Sequence, residues 1–249
     1  MFYTKRKHYS GRWLVKMLEV ALIFGIIFYS LDVIGQLFTP QYNESVIVVQ
    51  PLQQEVVQIQ GNAIALDEEA YFYLALDHQD SGEYYEAILD YTRSIELNDD
   101  IPESWLNRGV AYEQMGNSRA ISDFHAYLTS DRMTSVSFTA INETTTVTEY
   151  MSENYRYDIP IQLQDGDVVS ISVTSSTVDQ VDPIIVLVDA NGNPVAGTDD
   201  LRQQDGSLIS MNSYINNYDV DAKGEYTLMI SHAGGGSYGN IDIRISIDS

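Results

Sequence analysis

The chain has 249 residues, 13 Lys/Arg against 36 Asp/Glu, four His and no Cys. The missing cysteine excludes disulfides, thiolate zinc sites, iron–sulfur clusters and thiol nucleophiles. Five of the bases stand in residues 1–38 against only Glu19 and Asp32, so the rest of the chain is strongly acidic; it would repel nucleic acid, whose binding rests on Lys and Arg neutralising phosphates.

The first element is the apolar run Met17–Phe38, preceded by a basic tail over 1–16. At 1.5 Å per residue, about 22 helical residues span roughly 33 Å, enough for a hydrocarbon core of about 30 Å. Thr39-Pro40 stops the run. Lys5, Arg6, Lys7, Arg12 and Lys16 precede it, and positive charge stays in the cytoplasm. The expected arrangement is a single-pass signal anchor over 17–38 in the plasma membrane, N-terminus cytoplasmic and the remaining domains extracytoplasmic. A cleaved signal peptide is the rival; its apolar core is normally 7–15 residues and ends at a small-x-small site, neither of which fits here. Glu19 lies near the start and can pair with Lys16. Asp32 lies deeper, where a carboxylate costs about 2.5–3.5 kcal/mol. It is either a tolerated near-interface charge or a polar contact to another membrane subunit.

Residues 39–67 read as a linker, with a turn to helix over 52–66 and Pro51 against any long element. From Glu68 the apolar period becomes helical. Tyr71, Leu74, Ala75 and His78 form one face, broken by Ser81-Gly82. Tyr84, Ala87, Ile88, Tyr91 and Ile95 form the next, ending at Asn98-Asp99-Asp100 with Pro102 beyond. Trp105, Gly109 and Tyr112, the turn Gly116-Asn117, then Ala120, Phe124 and Tyr127 mark a second pair.

This spacing over 68–130 resembles tetratricopeptide repeats, a 34-residue helix–turn–helix unit. The first repeat matches through Tyr71, Leu74, Ala75, Gly82, Ala87, Tyr91 and Ser94, the second through Trp105, Gly109, Tyr112, Gly116, Ala120 and Phe124. Ala75, Gly109, Ala87 and Ala120 would sit where helices approach closely, with Tyr71 and Trp105 filling the gap. His78 stands where Tyr is usual, and only two repeats are visible where about three are needed for stability. The missing cover must come from residues 52–66, the outer domain or another copy. The resemblance implies a protein-binding groove on the first helices, presenting Phe72, Leu76, Gln79, Asp80, Leu106, Val110, Glu113 and Gln114. Two other uses stay open: a spacer without ligand, or a contact to the protein's own outer domain.

After Asp131 the pattern turns to alternating Thr, Ser, Val and Ile. Strands are expected over 136–141, 145–150, 155–163, 167–175, 183–189, 208–212, 224–231 and 239–247, giving an antiparallel sandwich over 134–249. Asp165-Gly166 and Asn191-Gly192 supply positive φ at hairpin tips. YRYDIPIQLQDGDVVSISV, DPIIVLVDANGNP, GEYTLMISH and the final GGSYGNIDIRI resemble the bacterial pre-peptidase C-terminal domain, a jelly-roll-like sandwich attached to exported proteins. Some members of that family bind calcium through acidic loops. Asp182, Asp189, Asp199 and Asp200 would form such an oxygen cluster, the donor type calcium prefers; the other reading is ordinary turn chemistry. No cofactor is expected unless calcium occupies this cluster.

No GxSxG, SxxK, P-loop or HExxH motif stands in the sequence, so no enzyme is expected. The expected architecture is α + β and multidomain: a transmembrane helix, a short helical repeat array and a β-sandwich. The expected role is an envelope scaffold with protein partners. The alternative is a surface module whose sandwich recognises a glycan or peptide, assisted by calcium.

Overall fold

A computed structural model describes residues 66–152, 154–176, 181–201, 208–233 and 238–249, with backbone alone at 57–59, 62–64 and 202. The anchor expected over 17–38, and Asp32 within it, lie outside the described residues. Among the described residues no helix is long and apolar enough to cross a membrane.

The described chain starts with a small antiparallel hairpin, β1 (Val57–Ile59) and β2 (Asn62–Ile64), where the sequence suggested helix. The Val and Ile of this stretch favour extended backbone, and tertiary context settles such short segments.

Four helices follow: α1 (Glu68–Asp80), α2 (Tyr84–Leu97), α3 (Pro102–Gln114) and α4 (Arg119–Leu128). Their ends follow local chemistry. Asp67 caps α1, its Oδ1 accepting from the Ala70 amide at 2.9 Å. Pro102 occupies the first turn of α3, where no amide is needed. Gly82 and Gly116 close the two hairpins with φ of 77° and 64°. The expected close approaches are present. Ala75 and Ala87 are fully buried. A Cβ added to Gly109 would lie 2.6 Å from Phe124 Cε1. Tyr71 is buried between helices. Trp105 packs half-buried against the helical cluster, donating Nε1–H to the Asp99 carbonyl while the Arg108 guanidinium lies 4.9 Å over its ring.

The rest of the chain is a two-sheet sandwich. One sheet has the order β3 (Thr134–Ser137), β5 (Tyr155–Leu163), β12 (Gly224–His232), β7 (Pro183–Val188), β8 (Pro194–Thr198). The other runs β11 (Ser213–Asp219), β6 (Val168–Ser175), β13 (Gly239–Asp248), β4 (Thr145–Met151). A short pair, β9 (Leu201–Arg202) with β10 (Leu208–Ser210), stands beside them. The core lies between the sheets. Ile159, Ile161, Ile185, Leu187, Leu228 and Ile230 of one meet Val169, Ile171, Val173, Ile241 and Ile243 of the other. Gly192 takes φ of 87° at the tip of the β7–β8 hairpin, as expected; Gly166 has the expected positive φ, 89°, but sits in the turn that carries the chain from β5 in one sheet to β6 in the other, not at a hairpin tip.

Three strand expectations need correction. The sandwich is not wholly antiparallel, because β3 pairs in parallel with β5 and the chain then touches it again at the Ile141–Ile161 bridge. β8 is a strand the sequence reading does not include; it is an edge strand, where its Pro and Gly are tolerated. β11 is another strand the sequence reading does not include; a bulge between Ile215 and Tyr218 absorbs Asn216-Asn217, with Asn217 at φ 50°.

Candidate functional site

β7 reads PIIVLV and every one of its residues is buried. Ile185 and Leu187 point into the sandwich core. Ile184, Val186 and Val188 point the other way, into one apolar cluster with Leu106, Ala111, Tyr112, Ala120, Phe124, Tyr127 and Leu128 of α3 and α4. A strand in an antiparallel sheet normally alternates between core and solvent. This one does not, because the helices cover its outer face. Polar links fix the docking. The Tyr127 hydroxyl donates to the His232 carbonyl at 2.9 Å in a buried setting. Arg156 Nη1 donates to the Leu128 carbonyl at 2.8 Å, closing the C-terminal end of α4. The surface left by a missing third repeat is thus covered by the sandwich, one of the three covers the sequence left open.

The groove positions divide into two halves. Leu106 is buried and Val110 half-buried, both in the cluster shared with β7. Glu113 Oε1 accepts from Thr198 Oγ1 at 2.8 Å and from the Asp199 amide at 3.3 Å. Gln114 is half-buried beside it in sequence. The second-repeat half therefore engages the protein's own sandwich. In the first repeat, Phe72 and Leu76 are half-buried against Ala75, Ala87 and Tyr91. Gln79 is half-buried and Asp80 exposed. Tyr73 is exposed beside them, its ring 5.5 Å from that of Phe72.

His78, the departure from the repeat pattern, has a partner. Its Nδ1 lies 3.0 Å from Asp90 Oδ2, and Arg93 Nη1 donates to Asp90 Oδ1 at 3.0 Å. Burial pushes the Asp90 carboxyl above the usual carboxylate range, opposed by Arg93 and His78. Arg108 forks onto Asp123 at 2.7 and 2.8 Å and reaches Thr92 Oγ1 at 3.1 Å. Burial likewise raises the Asp123 carboxyl, against the pull of Arg108. Neither pair was picked out from the sequence, since charge on a helix face looks the same whether solvated or paired.

Of the four expected calcium ligands the fold gathers three. β7 and β8 form a hairpin, so Asp182 before the first strand and Asp199 and Asp200 after the second meet at its open end. Carboxylate oxygens of the three lie within 4.8 Å of one another, with Asp199 buried and the others half-buried. Glu113 touches the backbone beside them. Asp189 stands at the opposite end, in the hairpin tip. Its carboxylate accepts from the Asn191 and Asn193 amides, each at 2.8 Å, which holds its pKa below the usual value. That residue does turn chemistry, while the other three form an oxygen cluster.

The family model described as TPR repeat matches residues 78–116. No curated protein matches the chain. Among solved structures, the chain is similar to the pre-peptidase C-terminal domain of collagenase from Bacillus anthracis, at 13% identity over 47% of this chain and 100% of that one, TM-score 0.36. It is also similar to PliG of Aeromonas hydrophila, a periplasmic lysozyme inhibitor (8% identity, 46% of this chain, 100% of that one, TM-score 0.31). A third is CorA, a surface-associated copper-binding protein important in copper acquisition in Methylomicrobium album BG8 (10%, 45%, 100%, TM-score 0.32).

Proposed function

We propose that this chain is a non-catalytic protein-binding module of the cell envelope, anchored in the plasma membrane through residues 17–38. The TPR match over 78–116, on helices that form the repeat hairpins, carries the reading. The first-repeat surface of Phe72, Leu76, Gln79 and Asp80 is where a protein partner docks, because Leu106, Val110 and Glu113 already serve the sandwich. Other membrane subunits are further partners, with Asp32 as their polar contact.

The test is affinity capture with the full-length protein from its native membrane, wild type against Gln79→Ala/Asp80→Ala. A defined partner set lost from the variant supports the reading. The same set retained overturns it. Deleting residues 68–130 is the poorer experiment, since it would also strip the cover from Ile184, Val186 and Val188.

A second reading is favoured by the aspartate cluster: a surface module whose sandwich recognises a glycan or peptide, with calcium at Asp182, Asp199 and Asp200. Three carboxylates this close suit a hard divalent cation, which takes oxygen ligands at about 2.3–2.6 Å. Calcium would tie the two ends of the β7–β8 hairpin together. Melting of the full chain with calcium and with chelator checks this. A calcium-dependent rise that disappears in Asp200→Asn supports the site, and indifference to chelator removes it.

A further inference from the structure

The two outward faces of the sandwich have different fates. The helices take that of the five-stranded sheet. On the four-stranded sheet the outward residues are Thr146, Thr148 and Tyr150 of β4, Asp242, Arg244 and Ser246 of β13, Ser170 and Ser172 of β6, and Tyr214 of β11, all exposed or half-buried. A groove of about 320 Å³ lies on this face, lined by Ser170, Ile171, Ser172, Tyr214, Asn216, Arg244 and Ser246. The register sets a row across all four strands: Thr146 opposite Arg244, Arg244 opposite Ser172, Ser172 opposite Tyr214. At strand spacings of about 4.8 Å the row is about 14 Å long.

Arg244 stands out by its charge. Arg93, Arg108, Arg132 and Arg156 each lie within 3.0 Å of a carboxylate. Arg244 has no such partner among the described residues, in a chain with 36 Asp/Glu. The acid two positions away, Asp242, is taken by the Thr148 hydroxyl at 2.6 Å. An exposed guanidinium offers a planar fork of donors that matches a carboxylate. The side chains around it are hydroxyls, an amide and a phenol, groups that pair with sugar hydroxyls.

We infer that the outward face of the four-stranded sheet binds an acidic saccharide, with Arg244 receiving the carboxylate of a uronic acid unit and Ser172, Ser246, Asn216 and Tyr214 its ring hydroxyls. The inference deepens the second reading above by naming a ligand class, and it uses a face apart from the aspartate cluster. The protein's negative charge repels polyanions in general, so binding here requires this local fork.

The test is calorimetric titration of the full-length protein in detergent with oligogalacturonate, its methyl ester, neutral dextran oligomers and polyglutamate. The acidic oligosaccharide should bind, with the ester and dextran at least about tenfold weaker, the scale of one charge-assisted bond. Arg244→Ala should lose about tenfold or more with its melting temperature unchanged, and Arg244→Lys should recover only part. No binding of oligogalacturonate, equal binding by Arg244→Ala, or equal binding of polyglutamate each overturns the inference. Calcium-dependent binding of a neutral glycan that survives Arg244→Ala would sink it while leaving the second reading intact.

Discussion

The helical array and the sandwich solve the same problem differently. The sandwich buries its apolar residues between its own two sheets. The array does not close its core alone: its larger cluster includes Ile184, Val186 and Val188 of β7. Its smaller one holds just Ala75, Ala87 and Tyr91, with Phe72 and Leu76 against them. Two repeats have too few internal faces to bury, so the end of the stack needs a surface from elsewhere. The helices therefore depend on the sandwich more than the sandwich depends on them.

That asymmetry can be broken on purpose. Val186→Asp buries a charge against the helices and should cost the most; helical circular dichroism should collapse while the strand signal persists at lower temperature. Loss of both signals in one transition would show that the two regions fold as one. Leu228→Ala sharpens the contrast from the other side. It opens the sandwich core, and about 2–5 kcal/mol should be lost with both signals melting together. Gly109→Ala forces a Cβ into the Phe124 ring and should cost about 1–3 kcal/mol, read by chemical denaturation and confined to the helical signal. Tyr127→Phe removes the hydrogen bond from the Tyr127 hydroxyl to the His232 carbonyl and should cost about 1–2 kcal/mol, lowering the helical transition alone.

The smallest effect is a pH dependence at His125 on α4. Burial first, and then the Arg156 charge, hold its pKa below the ordinary 6.5. The neutral form is favoured in the folded protein. Its contribution to stability is therefore present above pH 6.5 and is lost as pH falls through the lower folded value. His125→Gln should flatten this limb of the melting-temperature profile between pH 7 and pH 5.

Much of the layout was legible because it rests on local rules. Helix periods, the Gly82 and Gly116 turns and the small residues at helix contacts are written in short windows, and all appear as read. So do the positive φ at Gly166 and the hairpin tip at Gly192, although the turn at Gly166 links the two sheets instead of closing a hairpin. What was not legible is long-range. PIIVLV was recognised as a strand, yet its unbroken apolar run was also the signal for cover on both faces, and that was not used. The aspartates show the same division. Asp189 looked like its three companions in the sequence. Only the β7–β8 pairing separates the two ends of the hairpin, placing one aspartate in a turn and three in a cluster. The bases Arg108 and Arg93 carried no pattern that told paired from solvated, because their partners lie on neighbouring helix turns or across the hairpin.

The docking of α4 on β7 also gives the array a direction of growth. Repeat proteins lengthen and shorten over evolution by duplicating units. Here a unit added after Leu128 would have to occupy the space that Ile184, Val186 and Val188 already fill. A unit added before Glu68 meets no such obstacle from the sheet, since α1 packs on α2 and α3. Changes in repeat number among descendants of this architecture should therefore be found at the N-terminal side of the helices, with the α4–β7 junction kept as the fixed end.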